Sequence, residues 1–272
     1  MKYSSKEDRS VQGKWVLLTG AGGGIGGAIA KRLYTAGANL ILVGRDKSKL
    51  LSVCIRNNFL PDRVVRIAAD LTDQQGREKI VSTCSALPEP VSILVNNAGI
   101  SDFNFLDDQD EQIIIDLVNT NLVSPILLTR RLMPILRNAN QPVIVNIGST
   151  FGSIGYPGFA TYSASKFGLR GFSEALRREL SSSTIKVCYI APRATQTAIN
   201  SDQVNKMNTA LGTQMDDVNS VAEQILEALL TRKAEAYIGW PEKLFVKINQ
   251  IFPKIVDNSI LKQLPIISKY AR

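Results

Sequence analysis

The feature that most constrains this chain is an alternation repeated along nearly its whole length. Short apolar runs are separated by longer stretches with helical spacing. Trp15–Thr19 is the first run, and 39–43, 64–69, 93–95, 143–147, 185–190 and 236–239 repeat it. A strand that is apolar on both faces must be covered above and below, and strands separated by helices pair in parallel. The pattern therefore predicts one α/β domain over 13–239: a doubly wound, Rossmann-like parallel sheet of about seven strands with helices on both faces. No segment within it reads as a linker. Residues 1–12 read as a flexible N-terminal arm and 240–272 as a basic amphipathic C-terminal appendage.

Composition narrows the chemistry. The 272 residues contain no histidine. That excludes Ser-His-Asp and Cys-His units and any histidine metal site, and no other metal-ligating motif is visible. An acid or base must come from Tyr, Lys, Asp, Glu or a thiol. Cys54, Cys84 and Cys188 are odd in number and far apart, which suits apolar filler in a reducing cytoplasm rather than a disulfide framework. Residues 1–10 lack the apolar run of a signal peptide, and no run approaches the roughly 20 apolar residues of a transmembrane helix.

Between the first apolar run and the first helical stretch lies Thr19-Gly20-Ala21-Gly22-Gly23-Gly24-Ile25-Gly26. Glycines at a strand–helix turn let backbone approach a pyrophosphate, and the helix N-terminus offers free N–H groups and a positive dipole end. Gly20, Gly22, Gly23, Gly24, Ile25 and Gly26 are thus candidate dinucleotide contacts. The second run ends Val43-Gly44-Arg45-Asp46. Arg45 favours a 2′-phosphate and hence NADP(H), while Asp46 leaves NAD(H) as the alternative.

Tyr162 and Lys166 stand four apart at the start of a helical stretch, so they share one face. An ammonium near a phenol lowers the phenol pKa, which supplies an acid–base group without histidine. Ser149 follows the 143–147 run, at the carboxyl end of a strand, where doubly wound sheets place their sites.

With these residues in hand, the stretch 13–239 resembles the short-chain dehydrogenase/reductase family. The likeness is carried by Thr19–Gly26 as the TGxxxGxG turn, Asn96-Asn97-Ala98-Gly99 as the NNAG motif, Ser149, and Tyr162-x-x-x-Lys166, in that order. It implies Tyr162 as proton donor or acceptor, Ser149 as hydrogen-bond partner of the substrate oxygen, and Lys166 as ribose ligand and phenol tuner. Asn121 would hold a water that links Lys166 to solvent, with Asn119 an alternative on the same helix. The cofactor site would be completed by Asp70 and Leu71 near adenine, by Asn97, Ala98 and Gly99 on the adenine ribose side, and by Pro192, Thr195 and Thr197. Family members usually have Gly after the equivalent of Pro192. This chain has Arg193, either beside the cofactor or substrate mouth or simply solvated. Helices around 108–137 and 160–183 commonly form dimer and tetramer contacts in the family, which implies a homodimer or homotetramer.

The expected activity is hydride transfer between NADP(H) and a carbonyl or secondary alcohol. The alternative is a non-catalytic NADP(H)-sensing or scaffold protein on the same fold. Residues 198–216 are polar and irregular and fall where the family places its substrate lid. Phe151, Ile154, Tyr156 and Phe159 either form an apolar wall for a lipophilic substrate or pack in the core. Net charge is +8, and 241–272 hold six Lys/Arg against two acids. Leu244, Phe245, Ile248, Ile251, Phe252, Ile255 and Val256 mark one helical face there, broken near Pro253. That face packs on its own domain, on a second subunit, or peripherally on an anionic membrane. Nucleic acid is not expected, because the basic residues lie among aliphatic ones without a binding motif.

Overall fold

The computed structural model describes residues 10–271. Seven strands form one sheet: β1 (Trp15–Thr19), β2 (Asn39–Gly44), β3 (Val64–Ala68), β4 (Val91–Asn96), β5 (Val143–Ile147), β6 (Lys186–Ala191) and β7 (Glu235–Tyr237). Their order is β3-β2-β1-β4-β5-β6-β7, and every neighbouring pair is parallel. The order reverses between β1 and β4, where such sheets open a crevice at the carboxyl ends of their strands. The helices are α1 (Gly24–Thr35), α2 (Lys47–Arg56), α3 (Gln74–Ser85), α4 (Glu111–Val118), α5 (Ser124–Arg137), α6 (Ala160–Glu179), α7 (Asp202–Ala210), α8 (Val218–Leu230), α9 (Glu242–Ile251) and α10 (Pro253–Tyr270).

β1 shows why the apolar runs are continuous. Val16 and Leu18 enter one core with Ile29 and Leu33 of α1 and Val221 and Ile225 of α8. Trp15 and Leu17 enter the other with Ile80 of α3 and Leu128 and Leu132 of α5. Successive side chains alternate faces, and both faces are covered. Burying a side chain the size of Leu17 or Leu18 stabilises the fold by about 1.5–3 kcal/mol, so neither position tolerates a polar residue.

One polar thread runs through this interior. Asn96 Nδ2 donates to Asn146 Oδ1 (2.8 Å) and Thr129 Oγ1 (3.1 Å), Asn146 Nδ2 to Ser173 Oγ (2.8 Å), and Ser173 Oγ to the Leu169 carbonyl (2.7 Å). It pins β4 and β5, whose ends carry the site, to α5 and α6.

Several boundaries differ from the sequence reading. β4 begins at Val91, and β7 stops at Tyr237 because Gly239, at φ +99°, turns the chain away. The 198–216 stretch is not irregular throughout. It contains α7, capped by Ser201 and anchored by buried Val204 and Met207. Of the N-terminal arm, residues 1–9 lie outside the described residues, whereas Val11 is buried in the core. The continuous helix Glu111–Arg137 has an 18-residue window of mean hydropathy 1.3, long and apolar enough to cross a membrane. Reading uninterrupted apolar runs missed it because charges punctuate it. Here it is α4 and α5 joined by a π-helical turn at Asn119–Val123, with Leu128, Leu132 and Leu136 packed on the sheet.

Residues 240–271 form two helices against the domain. Pro253 ends α9 and opens α10, at a first helical turn where its missing N–H is tolerated. Val246 and Val256 are buried with Ile154, and Ile267 and Ala271 with Phe103, Phe159, Val204 and Met207. α9 and α10 thereby wall the crevice above β5 and β6.

Candidate active site

The glycine turn after β1 is shaped by close approach. Gly20 has φ +66°, and a Cβ there would lie 2.8 Å from Ala98 Cα; one on Gly26 would lie 2.1 Å from the Gly20 carbonyl oxygen. α1 begins at Gly24 with Gly23 as N-cap and no capping side chain, so its first N–H groups are left for a ligand or water. Thr19 Oγ1 accepts from the N–H groups of Asn97 and Ala98, both at 3.0 Å. Asn97 Nδ2 donates to the Thr19 and Gly20 carbonyls (3.0 and 3.3 Å). The Asn97 amide therefore holds the turn itself. Gly99 lies by the other end of the site, where a Cβ would meet Asn121 Oδ1 at 3.1 Å and Lys166 Nζ at 3.5 Å. It lies close to the Lys166 ammonium.

Beyond β6, Pro192 accepts from Thr150 through its carbonyl (3.1 Å), and Thr195 is buried, bridged to Asp216. Thr197 Cγ2 stands 3.1 Å from the place of a Gly24 Cβ, and its Oγ1 is buried without a partner. An orphaned hydroxyl beside an uncapped helix N-terminus fits the phosphate or amide of a dinucleotide.

The far end of the crevice carries Arg45, exposed just after β2. Asp46 caps α2 by accepting from Ser48 Oγ, the Lys49 N–H (3.1 Å) and the Ser48 N–H (2.8 Å), which hold its carboxyl below the usual range. That carboxylate is engaged by its own helix, whereas the neighbouring Arg45 is exposed. Lys49, which the sequence reading did not single out, lies one turn beyond Arg45, and its Cβ packs 3.1 Å from the place of a Gly22 Cβ. Burial pushes the Asp70 carboxyl up, but hydrogen bonds from Thr72 N–H and Oγ1 and the charges of Arg45 and Arg77 outweigh it and hold Asp70 below the usual range. Buried Arg77 fixes Leu71 by donating to its carbonyl (2.5 Å).

At the end of β5, Ser149 caps a short turn, its Oγ accepting from the Phe151 N–H at 3.1 Å, and it hydrogen-bonds the Tyr162 phenol. Lys166, one turn along α6, lies with Nζ 5.8 Å from the Tyr162 ring centre and donates to the Ile147 carbonyl (3.2 Å). Burial pulls the Lys166 pKa down to about 8. Burial also pushes the Tyr162 phenol up, and the Ser149 hydrogen bond offsets this only in part. Desolvation therefore sets the direction for the phenol, opposite to the lowering expected from a neighbouring ammonium. At neutral pH the site pairs a protonated phenol with a buried ammonium.

Asn121 is buried inside the π-helical turn, while Asn119 on the same turn is half-buried. Asn121 Nδ2 donates to the Ile100 carbonyl (2.9 Å) and Ser165 Oγ (3.1 Å), and Oδ1 accepts from the Ile100 N–H (2.9 Å). Both amide hydrogens are thereby engaged by protein, locking the loop after β4 to α6. Tyr189, fully buried in β6, also went unread. Its Oη lies 3.3 Å from the Ser149 carbonyl and 3.5 Å from its N–H. A tyrosine inside an apolar strand was the signal, because a buried phenol needs a partner.

A cavity of about 550 Å³ opens beside Tyr162. One wall is aromatic: Phe151 stacks on Tyr156 at 4.9 Å, and Phe159 meets Tyr162 edge-on at 6.2 Å. Its roof comes from Val204 and Met207 of α7, Phe245 of α9, and Val256 and Ile260 of α10. Two polar ties hold that roof. Tyr156 Oη donates to Gln263 of α10 (2.7 Å). Arg193 grips Asp216 through two hydrogen bonds (2.9 and 2.7 Å) and reaches Glu242 (3.1 Å) and the Trp240 carbonyl (2.7 Å). Arg193 is therefore not simply solvated: it lines the mouth of the cavity and fastens α9 to the loop after β6.

Comparison with known proteins agrees with this geometry. The family model described as short chain dehydrogenase matches residues 14–208. The ketoacyl reductase HetN of Nostoc sp. is 29% identical over 255 residues, covering 91% of this chain and 88% of its own. The 3-oxoacyl-[acyl-carrier-protein] reductase FabG of Vibrio cholerae is 31% identical over 237 residues, covering 87% and 94%. Among solved structures, a short-chain dehydrogenase from Streptomyces avermitilis superposes with a TM-score of 0.78 at 27% identity, covering 93% of this chain and 98% of that one. With the sheet order, the glycine turn and the Tyr162–Lys166 pair already placed, the chain belongs to the short-chain dehydrogenase family and is an NAD(P)-dependent oxidoreductase.

Proposed function

We propose that this chain reduces a lipophilic ketone to a secondary alcohol with NADPH, the same groups serving the reverse oxidation. One observation carries the reading: Ser149, Tyr162 and Lys166 converge on a largely apolar cavity that adjoins an uncapped glycine turn. NADPH, when bound, supplies the hydride. Tyr162, protonated at neutral pH, donates its proton to the substrate oxygen, and Ser149 hydrogen-bonds and orients that oxygen. The Lys166 ammonium stabilises the phenolate left behind and binds ribose hydroxyls, and solvent returns the proton to Tyr162. Asn121 positions Ile100 and Ser165 around them. The turn from Gly20 to Gly26, with Ile25, Pro192, Thr195 and Thr197, would hold the pyrophosphate and nicotinamide side. Asp70 and Leu71 with Ala98 would hold the adenosine side, and Arg45 with Lys49 the 2′-phosphate.

The aromatic wall and aliphatic roof favour a substrate with a hydrocarbon body. The 3-oxoacyl reductases among the relatives are named for a ketone on an acyl chain, which is of this class. We infer also a cytoplasmic homo-oligomer. Cys54, Cys84 and Cys188 are free thiols, and Ile113 and Ile115 of α4 and Phe167 of α6 are exposed where a second copy would cover them. Light scattering reads the oligomer, and a monomer at micromolar concentration contradicts it. The test of activity is NADPH consumption against a panel of medium-chain ketones. Wild type should turn over with one alcohol formed per NADPH. Tyr162→Phe should lose about 10³-fold or more in kcat while binding NADPH normally. Comparable turnover by the variant overturns the reading.

A further inference from the structure

We propose that the outer faces of α9 and α10 dock the protein on an anionic phospholipid surface. Sixteen large apolar side chains are exposed in the described residues, and seven of them fall between Trp240 and Ile266. They are concentrated where the two helices meet. Ile251 is 69% exposed, Phe252 59% and Ile255 56%, with Leu244 and Leu261 continuing the strip on either side. Helix α9 gives way to α10 at Phe252–Pro253, so the most exposed of these side chains sit at the elbow between the two helices.

Charge identifies the occupant. Lys243, Lys247, Lys254, Lys262 and Lys269 are all exposed along the same two helices, and none makes an ion pair among the described residues. The opposing acids are Asp257 and Glu242, and Glu242 is held by Arg193. Exposed apolar side chains interleaved with unpaired lysines match the boundary of a bilayer, where the apolar groups enter the acyl region and the ammonium groups meet lipid phosphates. The exposed strip on α4 and α6 is different. Ile113 and Ile115 lie beside Asp110, Glu111 and Asp116, a surface that repels anionic lipid. An acidic protein would satisfy the lysines but leave Ile251 and Phe252 in water, so the elbow favours lipid.

The inner faces of the same helices line the cavity through Phe245, Val256 and Ile260. Docking therefore sets the cavity roof against the bilayer. This placement stands apart from the reductase reading and is tested without turnover.

The test is co-flotation of the full chain with vesicles of phosphatidylcholine alone and of phosphatidylcholine mixed with phosphatidylglycerol. The wild type should bind the mixed vesicles about tenfold tighter, and salt should weaken that binding. A variant carrying Ile251→Ser, Phe252→Ser and Ile255→Ser should lose about tenfold in binding. Lys247→Glu with Lys254→Glu should lose at least as much. Ile113→Ser with Ile115→Ser should float like wild type. Unchanged thermal melts confirm that the variants are folded, and NADPH consumption with a water-soluble ketone, run in parallel, scores the reductase reading separately. Absence of flotation, equal binding to both vesicle types, or full binding by the serine variant overturns the proposal. Loss in the lysine variant alone also overturns it, since the surface would then be reading charge without entering lipid.

Discussion

The floor and the roof of the cavity are built from opposite materials. On the floor, Asn121, Ser149, Tyr162 and Lys166 sit among hydrogen bonds that leave little freedom: Asn121 makes three, Ser149 is braced from behind by Tyr189, and Lys166 is tied to the Ile147 carbonyl. The roof is Phe245, Val256, Ile260 and Met207, fastened to the rest by Arg193 and by the Tyr156–Gln263 bond. Hydrogen bonds fix direction, which proton and hydride transfer require. Apolar contacts fix volume, which governs what enters and stays. The division assigns rate to the floor and selectivity to the roof.

The largest effect should come from the floor. Ser149→Ala removes the hydroxyl shared between substrate oxygen and phenol and should lower kcat by about 10²–10³-fold without changing NADPH affinity; a loss below tenfold would break the assignment. Arg45→Ala, at the distal end of the same crevice, should weaken NADPH by about tenfold and leave NADH nearly untouched. A fluorescence titration with both nucleotides reads this directly, and equal losses would make Arg45 a general contact. The third effect is in pH. Lys166 loses its proton near pH 8, below its ordinary value, because burial penalises the charged form. Charge is therefore present below about pH 8 and absent above it, and kcat/KM for reduction should be flat below and fall up to about tenfold per unit above. A profile flat to pH 10 would detach Lys166 from the reaction. The smallest effect is structural: Arg193→Ala leaves Asp216 and Glu242 without their partner and should cost about 1–3 kcal/mol. Calorimetry should show a melt lower by a few degrees, with kcat on a small ketone within about twofold of wild type.

The two regions were not equally legible. The floor could be read because its chemistry demands particular residue types at short range. Tyr162 and Lys166 must be one helical turn apart, and the glycine turn must link a strand to a helix. The roof could not. The apolar spacing of Leu244 to Val256 shows a helix face but not what covers it, and the structure divides it: Phe245 and Val256 go inward while Ile251, Phe252 and Ile255 remain outside. Arg193 was ambiguous for a similar reason, since its acids lie 23 and 49 residues away in the chain. The bracing role of Asn97 was hidden in the same way, since the turn it holds lies 77 and 78 residues earlier. The phenol's burial was likewise hidden, because spacing reveals the neighbouring ammonium but not the desolvation that pushes the phenol up.

The most direct test of the division is kcat/KM for NADPH-dependent reduction across a series of methyl ketones of increasing chain length, measured for wild type, Ser149→Ala and Phe245→Ala with Ile260→Ala. The floor variant should lose the same factor at every length. The roof variant should match wild type on the shortest ketone and fall behind as the chain grows, to about tenfold or more on the longest, as buried apolar contact is removed. A roof variant that loses equally at every length would contradict the account.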